Sequence, residues 1–162
     1  MKALTVYQPW ASLISIGAKR YETRNWATNY RGPIAIHAGL KKYSDYGILG
    51  GLTLGAMENA LTVGGISWYF LDLPFGAVVA TAELAGCWEI DFPTPAEIEW
   101  HGYCAGQRRL RGKNAPADFI KDDELLFGDW TPGRFAWKLA NVKLLPKPVP
   151  AKGKQGLWEW LA

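Results

Sequence analysis

The chain has 162 residues, 49% of them hydrophobic and 20% charged, which accommodates one domain with a buried core and excludes a disordered tail. Two cysteines, Cys87 and Cys104, are too few for a disulfide scaffold and lack the pairing of a zinc site, so a reducing, cytoplasmic setting is expected. The formal net charge is +3, and aromatic residues make up 14% of the chain, more than a small core uses, which leaves some of them for surface work such as stacking.

In chain order, Lys2–Tyr7 (KALTVY) reads as a strand that follows Met1 directly, with no secretory-leader pattern. Pro9 suits the first turn of a helix, Trp10–Ile16 continues it with apolar residues at helical spacing that place Trp10 in the core, and Gly17 caps its end. Arg20–Trp26 (RYETRNW) alternates as a half-polar extended segment, Arg31-Gly32-Pro33 is a turn, and Ile34–Ala38 (IAIHA) is a short buried strand. Lys41–Leu61 reads as mostly helical. The apolar stretch 48–71 invites a membrane reading, but Glu58 and Asn59 sit at its middle and five glycines interrupt it, so no membrane span is expected.

Gly76–Trp88 (GAVVATAELAGCW) is the strongest strand. Thr94–Trp100 reads as a short helix with Thr94 as N-cap and Pro95 at its first position. Arg134–Leu145 alternates as a long strand whose Phe135 and Trp137 share the core face. Pro146, Pro148 and Pro150 make an extended, edge-like segment, and Gly156–Leu161 a terminal helical turn, with Trp158 and Trp160 plugging the barrel end. Several strands, few helices and no repeat or regular strand–helix alternation predict an α+β fold, a small mixed β-barrel with flanking helices.

Charge is unevenly distributed. Residues 1–47 carry Lys2, Lys19, Arg20, Arg24, Arg31, Lys41 and Lys42 against only Glu22 and Asp45. Trp130–Trp158 carries Arg134, Lys138, Lys143, Lys147, Lys152 and Lys154 with no acid, while the segment between Glu83 and Asp129 is acidic. If the two ends meet, they form a basic face suited to an anionic partner, nucleic acid first; the alternative is two solvated lysine-rich strands.

Conventional catalytic signatures are missing. His37 lies inside IAIHA as a core histidine, and His101 with Cys104 lacks the flanking geometry of a nucleophile pair. No metal-ligand cluster is evident, since Asp122-Asp123-Glu124 reads as a loop cap. Gly50-Gly51 and Gly64-Gly65 lack the lysine and spacing of a phosphate loop, so no cofactor is expected. What remains is polar: Gln8-Pro9-Trp10, then Lys19, Glu22 and Arg24 directly after the first helix. In an extended segment Glu22 and Arg24 share a face, and Lys19, in the turn, swings to it. Either this is a surface salt-bridge ladder, or the cations hold a phosphate or base edge while Glu22 accepts a base amino proton or orients Arg24. Spacing alone does not choose.

The motif GxKxxExR (Gly17, Lys19, Glu22, Arg24), preceded by QPWASLI and followed by YRGPIAIHA, GAVVATAEL, GRFAWKLANVKLL and KGKQGLWEW, resembles the ASCH (activating signal cointegrator homology) domain family over nearly the full chain, in its stand-alone bacterial or phage form. The resemblance implies a single PUA-like barrel over 1–162, with a helical insertion at about 41–65 and an acidic insert at about 89–129. It implies a cleft lined by the motif and a partner that is RNA, single-stranded nucleic acid or a modified nucleoside. Lys19, Glu22, Arg24, Trp26, Arg31, Lys152 and Lys154 are then the candidate binding residues, with Trp26 stacking and the last three touching the backbone.

Some ASCH proteins are amidohydrolases of acylated cytidine and others are proposed ribonucleases. In the former, a lysine and a threonine three residues on act with a glutamate. Lys19 matches the lysine, but Glu22 occupies the threonine position and Thr23 is expected to face away. If the chain is an enzyme, Glu22 is the base and Lys19 steadies the oxyanion. A protein-interaction module of transcription-coregulator type is the remaining alternative.

Overall fold

The computed structural model describes residues 1–41, 51–67, 72–94, 107–120 and 123–161. The helix expected to continue past Thr94, the His101–Cys104 pair, Asp122 and residues 42–50 of the expected long helix lie outside them.

The strands are β1 (Lys2–Val6), β2 (Tyr21–Arg24), β3 (Gly32–Ala38), β4 (Ala77–Asp91), β5 (Arg109–Arg111), β6 (Phe135–Pro150) and β7 (Leu157–Glu159). They form a seven-stranded sheet in the order β2-β6-β4-β3-β1-β7, with β5 paired to β4. Among the described residues three helices accompany them: α1 (Trp10–Ser15), α2 (Gly51–Val63) and α3 (Asp123–Leu126). β1 runs parallel to β3, and every other pairing is antiparallel. The sheet curls so that α1 packs against β3, β4 and β6 together, which is the α+β barrel architecture expected from the strand-rich pattern.

Period-two alternation divides the buried residues between two faces. Leu4, Val6, Ile34, Ile36, Val79 and Leu84 face α1, meeting its Ala11 and Ile14. Ala3, Ala35, Val78 and Trp158 face the other way and form a separate cluster flanked by Trp160. The two tryptophans therefore cover the sheet face opposite α1 rather than plugging a barrel end.

The expected terminal helical turn is a strand instead. β7 pairs with β1, placing Trp158 inward and Glu159 outward, where Lys2 Nζ meets Glu159 Oε1 at 2.7 Å. β6 runs on through Pro146, Pro148 and Pro150, with Val149 opposite Val78 and Pro150 opposite Ala77. The prolines are tolerated because β2 covers only Phe135–Lys138 of this strand, so the missing N–H groups fall where β2 has ended. Phe135 and Trp137 pack in the core, Trp137 fully buried.

α1 is short but held from outside its own length. Buried Gln8 accepts from Ser12 N–H through Oε1 (3.1 Å) and donates from Nε2 to Pro74 O (2.8 Å), supplying the cap that Pro9 lacks. α2 has 13 residues, fewer than the ~20 needed to cross a bilayer, and no helix among the described residues is long and apolar enough to do so.

Candidate functional site

The turn after α1 builds the site. Gly17 adopts φ +78°, a conformation that favours glycine and reverses the chain. The N–H of Lys19 then bonds back to Leu13 O (3.1 Å), which directs the lysine inward below the helix. β2 follows at the edge of the sheet, and its strand geometry puts Glu22 and Arg24 on a common face.

These three side chains form one relay. Lys19 is 1% exposed, its Nζ donating to Phe127 O at 2.6 Å and lying 3.5 Å from Glu22 Oε2. The other carboxylate oxygen, Oε1, lies 3.1 Å from Arg24 Nε, out of line for a hydrogen bond, while Arg24 Nη2 donates to Thr5 O at 2.6 Å. Lys19 therefore does not swing from a turn; it is buried and fixed. Burial lowers its proton affinity below the ordinary lysine value, opposed by the charges of Glu22 and Glu124.

A cavity of about 350 Å³ opens over the relay, near the low end of the ~300–1,000 Å³ typical of small-ligand pockets. Trp10, Leu126 and Phe127 give it apolar walls, and Lys19, Glu22, Arg24 and Asp129 bring charge to it. Trp10, expected in the core, is half-buried: it packs on two core clusters and also borders this cavity. Thr23, expected to face away, borders it too, its hydroxyl accepting from Asp129 N–H (3.1 Å). Burial works to raise the Asp129 carboxyl, but the hydroxyl and N–H of Thr131, with Arg134 nearby, hold it below the usual carboxylate range.

A second cavity of about 710 Å³ shares Tyr7 and Arg24 with the first. Trp26, His37, Lys154 and the loop Gly153–Gly156 border it. Trp26 stands edge-on to Trp137, with ring centroids 4.5 Å apart, and stays half-buried. Thr5 Oγ1 donates to Lys154 O (2.9 Å), pinning the loop against β1. His37 Nε2 donates to Ala151 O (3.0 Å); a carbonyl accepts only from a protonated nitrogen, which leaves Nδ1 as a buried acceptor with no hydrogen-bond partner among the described residues.

Of the expected site residues, Lys19, Glu22 and Arg24 converge on the first cavity, and Trp26 and Lys154 join Arg24 around the second. Arg31 and Lys152 border neither. The Arg31 guanidinium turns back onto Thr28 O (3.0 Å) and Tyr30 O (2.7 Å), and Lys152 is exposed.

α3 and the residues after it carry no sequence signature of the site. Glu124, expected in a loop cap, is 3% exposed and caps the entry to β2 instead: its carboxylate accepts from the N–H groups of Arg20 (3.1 Å) and Tyr21 (3.0 Å). Phe127 supplies the carbonyl that holds Lys19. In the sequence only the apolar run Leu125-Leu126-Phe127 directly after the acidic trio, with Trp130 close behind, marks this segment as buried rather than solvated. Among the described residues no group of three or more His, Cys, Asp or Glu is placed to hold a metal ion.

The family model for the ASCH domain matches residues 4–143. The human protein Activating signal cointegrator 1 is 54% identical over 41 residues, a stretch that makes up 25% of this chain and 7% of the human protein. The matched stretch thus spans a small fraction of that relative's length.

Proposed function

The chain belongs to the ASCH domain family, and from that premise we propose that it binds single-stranded RNA, inserting a base into the cavity over Lys19, Glu22 and Arg24. The PUA-like architecture supports an RNA ligand. The observation that carries the reading is the buried relay itself. A lysine fixed at 1% exposure and an arginine tied to a backbone carbonyl hold a carboxylate between them at the floor of a cavity. A surface salt-bridge ladder has neither the burial nor the cavity. Glu22 offers an acceptor to a base amino group, Arg24 offers donors, and Trp10 contributes an aromatic wall.

The test is fluorescence anisotropy with a labelled ten-nucleotide single strand across a salt series. Binding should weaken as salt rises, with a slope of about −0.7 in log–log terms per phosphate contact. Arg24→Ala should weaken binding at least tenfold. Affinity unchanged in Arg24→Ala, with the variant folded, would remove the cleft as the site.

A second reading, hydrolysis of an acylated nucleoside or of RNA, is favoured by one observation: a buried amine of lowered proton affinity stands beside a carboxylate in the same cavity. Incubation with acylated nucleosides and RNA, read by mass spectrometry, decides it; a product that disappears in Lys19→Ala supports an enzyme. A protein partner is the third reading. It draws on the partial match to a human protein named as a signal cointegrator, and salt-insensitive binding would favour it.

A further inference from the structure

The two cavities differ in the charges that border them. The first has Lys19 and Arg24 but also Glu22 and Asp129, whereas the second has Arg24 and Lys154 and no carboxylate among its described lining. In the first, two cations are balanced by two carboxylates, so it offers a phosphate no net attraction, whereas the second attracts one; an uncharged base with amino donors suits the first.

Arg24 stands where the cavities meet. It is anchored through Nη2 to Thr5 O and rests beside Glu22 through Nε, and Nη1 makes no hydrogen bond among the described residues. Lys154 is exposed and forms no ion pair among the described residues. Its backbone is nevertheless held: Thr5 Oγ1 grips Lys154 O, and His37 Nε2 grips Ala151 O. Gly153 lies against the His37 ring so closely that a Cβ there would meet Cε1 at 2.4 Å, so the loop is seated rather than hanging free. Trp26, half-buried at the same cavity, gives it an aromatic wall.

We propose that the two cavities hold consecutive nucleotides of one strand: one base over Lys19 and Glu22, its neighbour against Trp26, and the phosphodiester between them on Arg24 and Lys154. The inference rests on the RNA reading and narrows it from one inserted base to a two-nucleotide step. Trp26 and Lys154 then act only on the second nucleotide and its phosphate.

The experiment compares adenosine, cytidine, guanosine and uridine with ApA, CpC, GpG and UpU by isothermal titration calorimetry, alongside the ten-nucleotide strand. For at least one base the dinucleotide should bind about tenfold more tightly than its nucleoside, in line with the worth of one stacked base. Lys154→Ala and Trp26→Ala should each erase most of that gain and leave the nucleoside affinity unchanged. Because Trp26 packs on Trp137, Trp26→Phe is measured as well and should retain part of the gain with an intact fold. Equal affinities for dinucleotide and nucleoside, or a gain untouched in both alanine variants, would overturn the two-nucleotide site. If the ten-nucleotide strand still binds and Arg24→Ala still weakens that at least tenfold, the failure is confined to this inference. If the wild-type chain binds neither strand nor nucleoside, the RNA reading fails and takes the inference with it.

Discussion

Glu124 and Arg20 are 104 residues apart in sequence, yet one carboxylate accepts from both the backbone N–H and the Nε of that arginine. Its Oε1 also takes the N–H of Tyr21 at 3.0 Å. α3 is thereby tied to the start of β2, the strand that carries Glu22 and Arg24. Glu124→Ala leaves the buried N–H of Tyr21 and the half-buried N–H of Arg20 without an acceptor, and the stability lost should be about 2–3 kcal/mol. Urea unfolding at unchanged m-value measures it. A loss under about 0.5 kcal/mol would mean that water replaces the carboxylate and that the tie is dispensable.

Lys19 carries a second expectation. Burial lowers its proton affinity and Glu22 is the largest opposing influence. Glu22→Gln removes that opposition, so Lys19 should lose its proton at a lower pH than in the wild-type chain. The readout is the ε-methylene carbon of Lys19 followed by NMR across alkaline pH. Titration of wild-type Lys19 together with the exposed lysines, or no change in Glu22→Gln, would show that the amine is not held as the geometry requires.

The parts of the fold that could be read in sequence are those whose cause is local. Apolar alternation marks β4, Gly17 marks the end of α1, and the spacing of Glu22 and Arg24 already places them on one face of a strand. The carbonyl of Phe127 and the carboxylate of Glu124 have no such signature, because they serve residues more than 100 positions away. Gly156–Leu161, expected as a helical turn, contains a strand at Leu157–Glu159 that is not legible for a different reason: three residues are too few to separate a period of 2.0 from one of 3.6. Arg31 and Lys152 show that a run of basic charge says nothing about direction, since neither borders either cavity. Trp10 shows that core and cavity wall are not exclusive, because one indole serves both.

His37 makes stability depend on pH in a defined direction. Burial lowers its proton affinity in the folded chain, with the Ala151 carbonyl acting against that shift. The unfolded chain keeps the ordinary imidazole value near 6.5. Below about pH 6.5 the unfolded state therefore binds more protons, so stability present above that pH is lost as pH falls through the folded value. Melting temperatures from pH 7.5 to 5.5 should fall in the wild-type chain and fall less in His37→Gln, whose amide still reaches a carbonyl. Parallel curves for the two would locate the pH dependence elsewhere.

Gly86 offers a way to weaken the fold without touching either cavity. A Cβ at this position would lie 2.0 Å from Cη2 of Trp88, whose ring crosses directly over the glycine. The indole is fixed at its other end, Nε1 donating to Lys113 O at 3.0 Å, and it packs beside Ile90 and Leu110 in a cluster distinct from the one around α1. Gly86→Ala must displace that ring, at a cost of about 1–3 kcal/mol as in other overpacked sites. Neither residue borders either of the two cavities described above, so RNA affinity measured well below the melting temperature should stay within twofold of wild type. A variant that keeps its stability would show that Trp88 yields freely. One that keeps its stability but loses RNA would place the ligand on this side of the sheet, away from Lys19 and Arg24.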